Sequence, residues 1–351
     1  MHSSSPTEGR ARTADRSLRK LRVPGGRTLT ATPVFDSYWT FASRRQGAFM
    51  RRVRGEPAPW SDDAVIAAYR FTNVYRASDR VSQYLIRHVQ YSGSQEPIEL
   101  FFRTLLFKLF NRIETWERLT AAVGEVTWRT FSVSRYMRVF DRLFASGEPI
   151  YSAAYIMPSP NLGEARKHAN HLLLLERMLR DGAPSNVAGA ENLATVFATL
   201  RAYPSLGDFL AFQFAIDINY STLVDFSEMG FVVAGPGARD GIRKCFVDVD
   251  GLDDADVIRA VTDIADSEFD RLDLRFETLW GRPLQLIDCQ NLFCEVDKYA
   301  RVVHPAFSGA SVRTRIKQRY VPSDRALPQW YPPKWDLHVP EYHRIATNIS
   351  V

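Results

Sequence analysis

The stretch Phe231-Val-Val-Ala-Gly235-Pro236-Gly237-Ala238-Arg239-Asp240-Gly241-Ile242-Arg243-Lys244 decides how this chain is read. Two glycines one residue apart follow an apolar segment and precede a helical pattern, which predicts a hairpin between helices. Glycine tolerates positive φ and lets a partner backbone come close. The helix that follows turns its unpaired first-turn N–H groups outward, so the turn suits one phosphate group. A purely structural turn would have the same composition.

Outward from this hairpin the pattern is helical nearly throughout, from Pro33 onward. Ser61-Asp62-Asp63 predicts the cap of a helix through Ala64, Val65, Ala68 and Tyr69. Ile98–Phe110 reads as a strongly apolar, central helix. Further helices are predicted from Thr115, over 132–145, from Gly163 to Arg180 with Gly182 as its stop, and over 190–201 and 206–215. Val257, Val261, Ile264, Ala265, Leu272 and Phe276 keep helical spacing beneath an acidic exterior. There is no internal repeat and little strand-like alternation, so the expected fold is all-α with two lobes. Residues 1–32, broken at Pro24-Gly25-Gly26, are expected to be a basic mobile tail. Residues 33–320 are expected to form the helical domain, with 248–279 as an acidic helical insertion and 321–351 as an irregular C-terminal tail.

The 351 residues are 45% apolar and 24% charged, a globular rather than a disordered composition. No apolar run reaches the ~20 residues a membrane span needs, and no secretory signal pattern opens the chain. Three cysteines, Cys245, Cys289 and Cys294, can form neither a disulfide framework nor an iron–sulfur cage. A cytoplasmic, monomeric protein without a membrane partner is expected. The net charge of +5 is uneven. Residues 1–32 hold seven Arg/Lys and two acids, which leaves 38 of each sign in the rest. Arg313, Arg315, Lys317 and Arg319 form a second basic cluster with no acid between Ser308 and Tyr320, whereas 248–273 carries ten acids against Arg259 and Arg271. Basic stripes suit a polyanion because each neutralised phosphate releases counterions; the alternative is a solvated face.

A second stretch, Pro283-Leu-Gln-Leu-Ile287-Asp288-Cys289-Gln290-Asn291-Leu292-Phe293, places one carboxylate behind apolar residues at a predicted helix start. Together with the glycine hairpin it resembles the helix-hairpin-helix DNA glycosylases, whose two-lobed fold has a cleft between the lobes. That resemblance implies that Gly235, Gly237, Ala238 and Arg239 bind the DNA backbone and that Asp288 is the catalytic carboxylate. Upstream, Tyr69-Arg-Phe-Thr72-Asn73-Val-Tyr75-Arg76 is similar to the segment that fills the gap left by a flipped base, which implies Asn73, Tyr75 and Arg76 as wedge or pocket residues. Two features depart from the pattern. Gly237 and Asp288 are 51 positions apart, and the position of a nucleophilic lysine holds Arg239, which stays protonated and cannot form a Schiff base.

Phe71-Thr-Asn-Val-Tyr-Arg, Leu105-Leu-Phe-Lys-Leu-Phe-Asn111, Ala154-Tyr-Ile-Met-Pro-Ser159, Asp217-Ile-Asn-Tyr-Ser221 and Gln285-Leu-Ile-Asp-Cys-Gln-Asn291 resemble a narrower family. This is the alpha-glutamyl/putrescinyl-thymine pyrophosphorylase family, which includes the helical domain of hydroxymethyl-uracil DNA kinases. The sequence has no Gly-x-x-x-x-Gly-Lys-Ser/Thr loop, so the kinase itself is not expected. The resemblance implies a monofunctional DNA glycosylase that flips a bulky modified pyrimidine out of double-stranded DNA and hydrolyses its N-glycosidic bond in phage defence. A transferase that displaces pyrophosphate from an activated hydroxymethyl-pyrimidine, with Arg76, Arg80 and Lys108 around the leaving group, is the alternative. A non-catalytic reader of modified DNA is the third reading.

Each candidate also has a plainer role. Asp288 can cap its helix; Asn73, Tyr75 and Arg76 can form an exposed helix start. Asp217, Asn219 and Tyr220 lie in apolar surroundings and need partners, which a base edge or an internal network would supply. His168 and His171 have no third ligand in view, and Asp248, Asp250, Asp253 and Asp254 lack calcium-loop spacing, so neither a metal nor another cofactor is expected.

Overall fold

A computed structural model describes residues 18–153, 156–311, 313–322 and 329–340. Helices dominate these residues, and they divide into two compact units. The first takes the chain through Arg76 and again from Val232, with Pro340; the second is 77–231 together with 329–339. Each unit is closed by segments distant in sequence.

The first unit is organised around the Leu286–Val303 helix, which is buried on most of its circumference. The Pro33–Val53 helix packs on it through Tyr38, which meets Phe293, while Phe35 meets Phe246 and Trp39 meets Phe269 in the same aromatic cluster. Burying a side chain of this size stabilises by roughly 1.5–3 kcal/mol. The Pro236–Cys245 helix lies against the same helix at glycine distance. A Cβ on Gly237 would come within 3.0 Å of Cys294, and one on Gly241 would run into the backbone of Phe293. Gly237 and Gly241 are four apart, so they form one bare stripe along the helix.

Residues 19–31, expected to be mobile, form structure: strands Arg19–Arg22 and Thr28–Ala31 pair antiparallel, and Phe246–Asp248 adds a third strand. The acidic segment explains this difference. Arg19 bridges to Glu268 at 2.7 Å, and Asp250 accepts the Thr28 amide, so the basic hairpin sits against opposite charge. The rest of the expected tail, residues 1–17, lies outside the described residues. The acidic region is likewise an integral layer of the first unit rather than an appendage. Its Asp254–Asp263 helix, capped by the Asp253 side chain, buries Val257, Ile258 and Val261.

The second unit surrounds the Pro97–Phe110 helix, buried from Leu100 to Phe110. The Val133–Ala145, Lys167–Arg180 and Asp208–Asn219 helices complete its core, with Phe110 stacked on Phe140 and Phe102 edge-on to Phe131. Residues 329–339, read as part of an irregular tail, are packed. Tyr331 bonds to the Ser78 hydroxyl at 2.7 Å, and Trp335 meets the edge of Tyr220. Residues 323–328 and 341–351 of that tail lie outside the described residues. Among the described residues no helix is long and apolar enough to cross a membrane.

Candidate functional site

In the first unit the candidate carboxylate is a brace. Asp288 is the third residue of the Leu286–Val303 helix and is 4% exposed. Its Oδ2 accepts the Gln285 amide at 3.1 Å, one half of a capping box, because an orphan N–H of the first turn needs an acceptor. Its Oδ1 accepts the Arg76 amide at 2.9 Å. Further along the same face, Asn291 Nδ2 donates to Thr72 Oγ1 at 3.0 Å and to the Asn73 carbonyl at 3.1 Å, and Glu295 accepts the Thr72 amide at 3.1 Å. Positions 288, 291 and 295 are three and four apart, so a single helical stripe holds the 72–76 segment.

The structure thus joins two stretches that sequence reading treated as separate candidates. Within the held segment, the Asn73 side-chain oxygen accepts from Arg45, Tyr75 donates its hydroxyl to the Arg282 carbonyl at 2.8 Å, and Arg76 is 5% exposed. Tyr75 and Arg76 are therefore buried rather than presented as a solvent-facing wedge. Burial, with the Asp288 charge second, pushes the Tyr75 phenol far above its ordinary range. Burial likewise raises the Cys289 and Cys294 thiols, each to about 12, so neither is a thiolate at neutral pH.

The hairpin glycines also acquire definite places. Gly235 is the N-cap of the Pro236–Cys245 helix, which has no side-chain cap, and Ala238 is buried. A Cβ on Gly237 would fall within 3.0 Å of the Cys294 side chain. Arg239 is half-exposed and pairs with Asp254 at 3.4 Å. Lys244 is enclosed: it bridges to Asp297 at 2.8 Å and donates to the Asp297 carbonyl at 3.0 Å, and Arg301 bonds the same carboxylate. Asp240, which sequence reading passed over, accepts the amides of Ala310 and Ser311 at 2.9 and 3.3 Å. Burial opposes its ionisation, but these bonds and Arg243 hold its carboxyl below the usual range.

In the second unit, Asp217, Asn219 and Tyr220 form an internal network. Asp217 is fully buried and bridges to the equally buried Lys108 at 3.0 Å; Lys108 also donates to Asn111 at 2.7 Å. Asn219 closes the following turn by exchanging bonds with the Phe226 amide and carbonyl, both at 2.9 Å. Tyr220 is buried, and its carbonyl accepts the Tyr91 hydroxyl at 3.2 Å. Gln90 donates to the Asp217 carbonyl at 2.7 Å from a six-residue π-helical segment, Leu85–Gln90. Among the described residues no cluster of three metal-binding side chains occurs.

The sequence model of a family described as "5-hmdU DNA kinase, helical domain" matches residues 32–309, and the chain belongs to that family. A curated relative, the "5-hmdU DNA kinase" of Bacillus phage SP10, is 28% identical over 309 residues. The alignment covers 82% of this chain and 47% of the relative, so the chain spans about half the length of the protein it matches. No solved structure matches. Both findings name a DNA kinase, a phosphotransferase, and they overturn the expectation of a monofunctional glycosylase that hydrolyses an N-glycosidic bond. The pyrophosphate-displacing transferase is not what they name either. Gly237 packs against Cys294, and Asp288 accepts two backbone amides.

Proposed function

We propose that this member of the 5-hmdU DNA kinase helical-domain family engages double-stranded DNA and recognises a pyrimidine carrying a 5-hydroxymethyl group. The observation that carries this reading is the family match over residues 32–309, which takes in both the Asp288-braced segment and the uncapped Pro236–Cys245 helix. The name of the phage relative supplies the nucleotide and the reaction class, phosphoryl transfer to a hydroxyl on DNA. Engagement of the DNA and its hydroxymethylated base is the part assigned to this chain. The first-turn amides of the Pro236–Cys245 helix and the neighbouring Arg239 guanidinium suit a backbone phosphate, since a helix N-terminus favours an anion. Asp288 is a positioning residue in this scheme: it fixes the 72–76 segment, and Asn73 is the candidate for the base edge.

The test is binding to two duplexes that differ at one base, thymine against 5-hydroxymethyluracil. A hydrogen bond to the added hydroxyl, worth about 1 kcal/mol net, predicts an affinity difference of roughly five- to tenfold. Equal affinity for the two duplexes would overturn recognition of the modified base.

A further inference from the structure

The basic cluster at 313–319 has no acidic partner among the described residues. Arg313, Arg315, Lys317 and Arg319 are all exposed, and none forms an ion pair among the described residues. Several basic side chains elsewhere in the first unit do meet acids: Arg19 with Glu268, Arg44 with Asp63, Arg239 with Asp254, Lys298 with Glu295. Four unbalanced cations in seven residues repel one another, and a fold gains nothing by fixing them together without a ligand.

Yet the segment is fixed at both ends. At its start, Asp240 holds the Ala310 and Ser311 amides, and Gly309 lies so close to Asp240 that an added Cβ would fall within 3.0 Å of it. At its end, Arg70 donates its amide to the Gln318 carbonyl at 3.0 Å and Tyr320 donates to the Ala68 carbonyl at 3.1 Å, an antiparallel bridge that pairs Tyr69 with Arg319. The Arg319 guanidinium lies 4.5 Å from the centre of the Tyr69 ring. Among the described residues between the anchors no helix occurs, and the Arg315 carbonyl accepts from Arg301. The four cations occupy alternate positions, the spacing that puts side chains on one face wherever the backbone is extended, as it is at the Arg319 bridge. The first anchor, Asp240, belongs to the same helix whose uncapped start is assigned to a phosphate.

We propose that residues 313–319 form a preorganised track for the phosphate backbone of DNA, with Arg313, Arg315 and Lys317 as its phosphate contacts. This rests on the reading of the chain as a DNA-engaging module and adds the surface by which it does so. Preorganisation matters because a segment tethered at both ends loses less conformational freedom on binding than a free tail of the same charge. Phosphate contacts carry no sequence information, so the track supplies affinity and not base choice.

The test compares the full chain with a triple variant, Arg313→Ser, Arg315→Ser and Lys317→Ser, and with a control of equal charge loss, Arg129→Ser, Arg138→Ser and Arg142→Ser. Affinity for duplex DNA is measured from low to moderate salt, and thermal unfolding checks that each protein is folded. Each lost phosphate contact removes about 0.9 from the slope of log K against log salt, so the track variant should lose up to about three units of slope. The control should keep the slope of the unmodified chain. Any preference for 5-hydroxymethyluracil over thymine should persist in the track variant. An unchanged slope in the track variant, or an equal loss in the control, overturns the track while leaving base recognition standing. A slope reduced in the track variant alone, with no base preference in the unmodified chain, overturns recognition and leaves the track. Absence of duplex binding by the unmodified chain overturns both. Retained DNA slope with lost affinity for phosphatidylserine vesicles would assign the segment to a membrane surface instead.

Discussion

A Cβ on Gly241 would press into the main-chain carbonyl of Phe293, closer than 3.0 Å. The neighbour is backbone within the Leu286–Val303 helix and cannot swing aside as a flexible side chain could. Gly237, one turn earlier, meets Cys294 in the same way. The close approach of these two helices therefore depends on two missing side chains.

Gly241→Ala should destabilise the protein by about 3 kcal/mol or more, at or beyond the upper end of overpacking costs, despite the better helix propensity of alanine. Urea unfolding checks this. A midpoint within error of the unmodified protein would show that the helices can separate without cost. Gly237→Ala should cost less, because the Cys294 side chain has some freedom to move.

Asp288→Asn should also act on stability. Both carboxylate oxygens accept backbone amides, and an asparagine offers one oxygen and one NH2, so either Gln285 or Arg76 would face a donor. The expected loss is about 1–3 kcal/mol, the cost of leaving one buried amide unsatisfied. Amide hydrogen exchange should quicken at Arg76 or Gln285. Full protection at both amides in the variant would remove the bracing role.

The helices were legible because their periodicity is local: Ile98–Phe110 and 132–145 match Pro97–Phe110 and Val133–Ala145 within a residue or two. The hairpin at 19–31 was not, since the third strand Phe246–Asp248 and the counter-charge Glu268 that hold it lie more than two hundred residues away. The site shows the same division. Asp288 at a helix start was readable from its neighbours, but what its second oxygen holds was not. A stripe at 288, 291 and 295 is a visible helical spacing, yet only the fold reveals that it meets residues 72–76. Gly237 and Gly241 carried a signal that was overlooked. Glycines four apart in a helix mark close packing, whereas attention went to Gly235 and Gly237, two apart.

Lys108→Met should be among the most damaging substitutions in the second unit. Asp217 is 0% exposed and Lys108 4%, so removing the ammonium leaves a buried carboxylate without its ion-pair partner. Breaking one side of such a pair costs about 3–5 kcal/mol, whereas replacing both partners by apolar residues is often nearly neutral. Lys108→Met with Asp217→Leu should therefore recover much of the loss. Unfolding midpoints of the two singles and the double form the test. A double variant as weak as the sum of the singles would show that the pair is not what these residues contribute.

His171 gives the protein a defined weakness to mild acid. Its Nε2 lies 2.9 Å from the Pro158 carbonyl, which can only accept, so Nε2 carries the proton and Nδ1 accepts the Tyr151 hydroxyl at 2.7 Å. The neutral ring is fully satisfied, and a second proton would reverse the bond to Tyr151 and place a charge in the buried site. Burial, only partly offset by the Pro158 bond and reinforced by Lys167 and His168, lowers the His171 pKa from 6.5 to about 4. Between these values the unfolded chain binds a proton that the folded chain refuses. Stability from this residue is thus complete above pH 6.5 and is lost as pH falls toward 4, by a total of about 3 kcal/mol. His171→Gln, which can still donate to Pro158 and accept from Tyr151, removes the titration. Urea unfolding of both proteins at intervals from pH 7.5 to 4.5 should show the unmodified chain losing stability more steeply below pH 6.5, with the two curves parallel above it. Parallel curves over the whole range would mean that His171 titrates normally in the folded protein.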